Sequence, residues 1–198
     1  MSDIERDLAF VSTMAAELKP YLLSDTLYWS LGAPAPAHRP LLKGTLGGLL
    51  FRLYRLEASR HLLTPEQRQQ LHEARSLSNE QLQRWVVQVE RKATREIKSR
   101  LNVWGAYLEE CQENPARYAP EYPVRVEERT ILVFLFDVAG RSKEKEAATI
   151  KLSQLDRLLR GISRESDFVW DGALQPAFPR DRFWWLYVRP VEKREESR

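Results

Sequence analysis

Between Leu82 and Cys111 the apolar residues Leu82, Val86, Val89, Ala93, Ile97, Leu101, Trp104, Leu108 and Cys111 recur every three or four positions. That period describes one face of an α-helix, and it persists long enough for the face to require cover along most of its length. Ser78-Asn79-Glu80-Gln81 has capping-box spacing in front of it, and Asn114-Pro115 ends it. A helix over about 79–113 is expected, and a chain built on such a rod must bring other helices against it. The fold class that follows is mainly α, an antiparallel helical bundle around one long central helix.

Other segments supply the covering helices. Ser2 and Glu5 form a capping pair, and Ile4, Leu8, Val11, Ala15, Leu18 and Leu22 predict a first helix from about Asp3 to Leu22, with Pro20 as a kink or early stop. Leu46, Leu49, Leu50, Leu53 and Leu56 mark a nearly surrounded helix, and Thr64-Pro65-Glu66-Gln67 starts another. Leu152, Leu155, Leu159 and Ile162 place a further helix over 144–162. The run Ile131 to Phe136 within 124–138 fits a buried strand or a buried helix. Glu127 and Glu128 ahead of it and Ala139-Gly140 behind favour helix. From Ser30 to Gly48, closely spaced Pro34, Pro36 and Pro40 exclude helix and predict an extended connection.

The last forty or so residues change character, since Trp170, Phe178, Phe183, Trp184, Trp185 and Tyr187 crowd together around the turn signal Asp171-Gly172. A β-hairpin or a strap is expected there. Across 198 residues, 43% hydrophobic and 30% charged, the balance is that of a folded chain, read as one domain over 1–191 with a polar tail at 192–198. The net charge of +3 comes from 31 basic and 28 acidic residues that are interleaved along the chain.

These features exclude several kinds of chemistry. A single cysteine, Cys111, allows no intrachain disulfide, and its place on the apolar face of the long helix suits a packing thiol. No apolar run approaches a membrane span, and the N-terminus is acidic where a secretory signal is basic, so a cytoplasmic protein with no membrane partner is expected. His38, His61 and His72 are scattered, which predicts no metal. Gly44-Thr45-Leu46-Gly47-Gly48 before a helix resembles an anion cradle, yet lacks the Lys-Ser/Thr of a P-loop and reads as a turn and a close helix approach. No catalytic motif is present, and no cofactor is expected.

Two constellations remain. Glu96 and Arg100 intrude on the apolar stripe of the long helix, and Glu57 and Arg60 do the same on the leucine-rich one, so the four are candidates for a polar pocket. The aromatic residues Trp170, Phe178, Phe183, Trp184, Trp185 and Tyr187, interleaved with Arg180 and Arg182, are a candidate interaction surface, with core closure as the competing role. The expected function is a non-catalytic intracellular interaction module or small subunit with a protein partner. One alternative is a nucleic-acid-associated protein using Arg52, Arg55, Arg84, Arg91 and Arg95; another is a ligand binder or enzyme using the polar pocket.

Overall fold

Local signals set most of the helix ends. The computed structural model describes residues 3–32 and 43–191. Its order is α1 (Asp3–Ala16), α2 (Leu18–Leu23), β1 (Trp29–Ser30), β2 (Lys43–Gly44), α3 (Leu46–Ala58), α4 (Pro65–Arg84), α5 (Val86–Glu113), α6 (Pro115–Tyr118), α7 (Tyr122–Val138), α8 (Lys143–Ile162), β3 (Ser163–Glu165) and β4 (Val188–Pro190). The described residues are mainly α, with only small antiparallel strand pairs among them. Ser2, the proline-rich stretch with His38, and the tail at 192–198 lie outside the described residues.

Thr64 caps α4 as its sequence predicts: its side chain accepts from Gln67 N, and the Gln67 side chain accepts from Thr64 N in return. Thr45 caps α3 by accepting from Gly48 N, and Ser142 caps α8 by accepting from Lys145 N. The ambiguous run at 131–136 lies in helix α7. Pro20 splits the expected first helix into α1 and α2, because it has no N–H to return to Ala16 and the chain leaves helical geometry at Glu17.

Ser78 does not start the long helix. It lies inside α4, buried, with its hydroxyl donating to Ala74 O at 2.7 Å. The break falls at Trp85 (φ −117°, ψ 42°), and α5 begins at Val86, seven positions after the expected start at Asn79. A serine hydroxyl can bond backward to the preceding turn as readily as forward to the next amide, so the capping pattern alone did not locate the boundary.

The chain forms two compact units, Met1–Glu96 with Phe134–Gly140 and Ile97–Val133 with Arg141–Arg198. In the first, α1 packs on α3 and α4, burying Leu8, Val11, Met14, Leu46, Leu49 and Phe51. Asp7, only 4% exposed, joins α1 to α3 by accepting from Arg55 Nε at 2.6 Å and facing Arg52 Nε at 3.3 Å. Strands β1 and β2 pair Trp29 with Gly44, where a Cβ would stand 2.7 Å from Met14 Sδ, so a larger residue must displace the Met14 side chain.

In the second unit, Trp104, Leu108, Tyr122, Val126, Leu159, Phe178 and Phe183 are buried. Arg100 of α5 reaches Glu128 of α7 at 2.6 Å, and Arg129 of α7 holds Asp156 of α8 through two parallel bonds of 2.7 and 2.8 Å. Such fork-to-carboxylate pairing fixes the orientation of the helices as well as their attraction.

Candidate functional site

The C-terminal aromatic segment is a closed strap. Strands β3 and β4 pair antiparallel, with Arg164 opposite Arg189 and Glu165 opposite Val188. The ladder continues inward through Ser166 N to Tyr187 O and Val169 N to Leu186 O. The Asp171-Gly172 signal becomes a turn in which the Asp171 carboxylate accepts from Ala173 N, opening the short 3-10 segment Gly172–Ala177. A second 3-10 turn, Trp184–Tyr187, leads into β4.

Aromatic side chains with polar tips fasten this strap to α7. Tyr122 OH donates to Trp185 O at 2.6 Å, Trp185 Nε1 donates to Thr130 Oγ1 at 3.0 Å, and Trp170 Nε1 donates to Pro123 O at 2.7 Å. Arg129 lies 3.6 Å over the Trp185 ring and Arg160 of α8 lies 3.6 Å over Trp184. Phe178 packs edge-to-face on Trp170 and on Phe183, and Phe183 packs in the same way on Trp185.

The proposed interaction surface is therefore divided. Phe178, Phe183, Trp185 and Tyr187 are buried, Trp170 and Trp184 are half-buried, and Arg180 and Arg182 are exposed. On its outer side the strap bounds a cleft of about 660 Å³ lined by Ser166, Asp167, Phe168, Trp170, Gly172, Gln175, Arg180 and Tyr187. Tyr187 is held by donating its hydroxyl to Phe178 O at 2.8 Å, and Phe168 stands 5.4 Å from Tyr187 and 6.2 Å from Trp170, centroid to centroid. Arg180 pairs with Glu165 at 2.6 Å. The Asp167 carboxylate and the Gln175 amide, both exposed, have no side-chain partner among the described residues. Tyr187 and Trp170 are held by hydrogen bonds, and the cleft they border is open to solvent, with Asp167 and Gln175 exposed on its rim.

The candidate pocket residues go to different partners. Glu57 bonds Arg60 at 3.1 Å and Arg75 at 3.0 Å on a partly exposed surface. Glu96, fully buried, accepts from Gly47 N at 2.9 Å at the start of α3, while Arg100 pairs with Glu128. The glycine segment does cradle an anion in that sense: Leu46 N donates to Tyr21 OH, Gly47 N to Glu96 and Gly48 N to Thr45, so the chain's own groups occupy these amides.

Lys92 escaped sequence reasoning. It is fully buried on α5, where its ammonium donates to Thr26 O at 2.5 Å and Ser24 Oγ at 3.3 Å and lies 4.2 Å over the Tyr21 ring. Burial, with Arg95 and Arg91 acting in the same direction, pushes it down to about 8. Its spacing four before Glu96, in the same stripe, was the available signal. Phe168, Asp167 and Gln175 were missed because nothing in their local pattern marks them as facing the same space. Burial also pushes the Cys111 thiol up, which keeps it protonated and unreactive. Among the described residues, no His, Cys, Asp and Glu side chains are grouped to hold a metal, and no helix is long and apolar enough to cross a membrane.

The chain matches no protein-family model, no curated protein and no solved structure. The chemistry of the cleft thus stands on its own residues.

Proposed function

We propose that this protein is a non-catalytic intracellular interaction module, a small subunit or adaptor, and that the cleft of the C-terminal strap is where it engages its partner. The observation that carries this reading is the cleft of about 660 Å³ whose aromatic wall is pinned by Tyr187, Phe178 and Trp170 while Asp167 and Gln175 stay available on its rim. Pre-organised aromatic surface flanked by unengaged polar groups binds with little ordering entropy, which is how recognition sites gain affinity. The test is recovery of partners from the native cell by the wild-type chain and by Gln175→Trp, which fills the cleft from an exposed position. A partner held by the wild type and by the distant surface variant Lys151→Glu, but lost by Gln175→Trp, is the expected result. Equal recovery by all three would remove the cleft from the function.

A second reading, a nucleic-acid-associated protein, draws on Arg84, Arg91 and Arg95, which are exposed, and on the effect of Arg91 and Arg95 on Lys92. Arg52 and Arg55 are committed to Asp7, which reduces the basic set that suggested it. Retention on a polyanion column that falls steeply with salt and is lost in Arg91→Gln/Arg95→Gln would favour it.

A further inference from the structure

We propose that the cleft recognises an organic ammonium group, a cation whose charge is surrounded by alkyl substituents. This rests on the reading of the cleft as a recognition site and specifies what it takes. Phe168, Trp170 and Tyr187 supply its aromatic wall. Aromatic faces carry negative potential and attract cations, most strongly those weakly hydrated enough to approach the ring.

Charge around the cleft selects the same class. Its lining holds one carboxylate, Asp167, and one guanidinium, Arg180, and the guanidinium is offset by Glu165 outside the lining at 2.6 Å. An anion would meet the unpaired Asp167 carboxylate, while Arg180 is shared between one contact to Glu165 and the Tyr187 ring 5.9 Å away, which an incoming cation must displace. A metal ion would find one carboxylate lining the cleft, too few ligands for a hard cation. A bare ammonium would have to exchange a full set of water hydrogen bonds for that same single carboxylate. An alkylated ammonium has few or no N–H groups to satisfy, gains from ring faces through its methyl groups, and keeps the long-range attraction of Asp167.

Two sources carry this chemistry, a free quaternary amine and a methylated lysine on a partner, and the two arms of the test separate them. The full chain is titrated with choline and with a short peptide containing trimethyllysine, each followed by tryptophan fluorescence and NMR. Its neutral counterpart 3,3-dimethylbutan-1-ol, in which carbon replaces the charged nitrogen, is titrated in parallel. Choline or the peptide is expected to bind, and the neutral compound to bind at least about tenfold more weakly. The tighter of the two cations identifies the source.

Charge variants on exposed positions keep the test independent of folding. Asp167→Asn is expected to weaken cation binding about five- to tenfold. Arg180→Gln removes the one positive charge among the lining residues and is expected to tighten it several-fold, a gain that misfolding does not produce. Arg182→Gln, a residue outside the lining, serves as the charge-matched control. Equal binding of the neutral compound, insensitive to Asp167→Asn and Arg180→Gln, would overturn the cation assignment and leave the cleft a recognition site of another kind. If cleft resonances do not respond to any of the three ligands, the assignment fails. Partner recovery by Gln175→Trp then judges the underlying reading separately.

Discussion

The carboxylate of Glu96 accepts a hydrogen bond at 2.9 Å from the backbone amide of Gly47 in the first turn of α3. A charged group in an apolar stripe and a glycine pair in front of a helix, separate puzzles in the sequence, answer each other. The helix start has an unpaired amide and a partial positive charge, and the buried carboxylate satisfies both.

Glu96→Ala leaves the Gly47 amide without this acceptor inside the fold, and is expected to lower stability by about 2–4 kcal/mol. Glu96→Gln keeps an acceptor and loses only the charge, so its loss should be about half as large. Urea unfolding of the two variants checks the order; equal losses would mean that the charge carries the whole contribution and the neutral acceptor none.

Arg129 shows the same logic in the second unit, where its guanidinium is sandwiched between Asp156 and the Trp185 ring. Asp156→Asn strands a nearly buried cation and is expected to cost about 2–4 kcal/mol. The paired change Arg129→Met/Asp156→Leu removes both charges and should cost less than Asp156→Asn alone, as measured in a double-mutant cycle.

Thr64 and Ser78 carry the same capping spacing in the sequence and differ in the fold. Thr64→Ala removes a working capping box and should lose about 1 kcal/mol. Ser78→Ala deletes only a hydroxyl bonded to the preceding turn and should be neutral to slightly stabilising, since alanine is the better helix former. A loss of similar size at both positions in thermal unfolding would contradict the helix boundary at Trp85.

Lys92 gives a pH signature. Burial pushes its ammonium down to about 8 in the folded chain, against 10.5 as its ordinary value. Between these values the unfolded chain binds the proton that the folded chain has released, so stability rises with pH across that window, by at most about 3 kcal/mol. Cys111 and Tyr107, whose protonated forms burial favours, act in the opposite sense above their own unfolded values. The difference between wild type and Lys92→Met isolates the lysine: the wild type should gain on the variant between pH 8 and pH 10 in urea unfolding. A constant difference would show that Thr26 and the Tyr21 face hold the charge as well as water does.

By itself the sequence determined the helical character of the chain, most helix ends and the turn of the strap. Period, caps, prolines and glycines act within a turn or two of the backbone, so Thr64, Pro20, Asn114 and Asp171-Gly172 could be read where they stood. The candidate site was legible only in its aromatic composition. Tertiary structure alone decided that Glu96 meets Gly47, that Arg52 and Arg55 turn to Asp7, and that Phe178 and Phe183 close a core while Phe168 and Trp170 line a cleft. Those outcomes depend on which faces become neighbours across dozens of residues, and a charge or ring lies in the same stripe whether its partner is water, a carboxylate or another helix. Local spacing fixes direction along an element; only packing fixes what stands opposite.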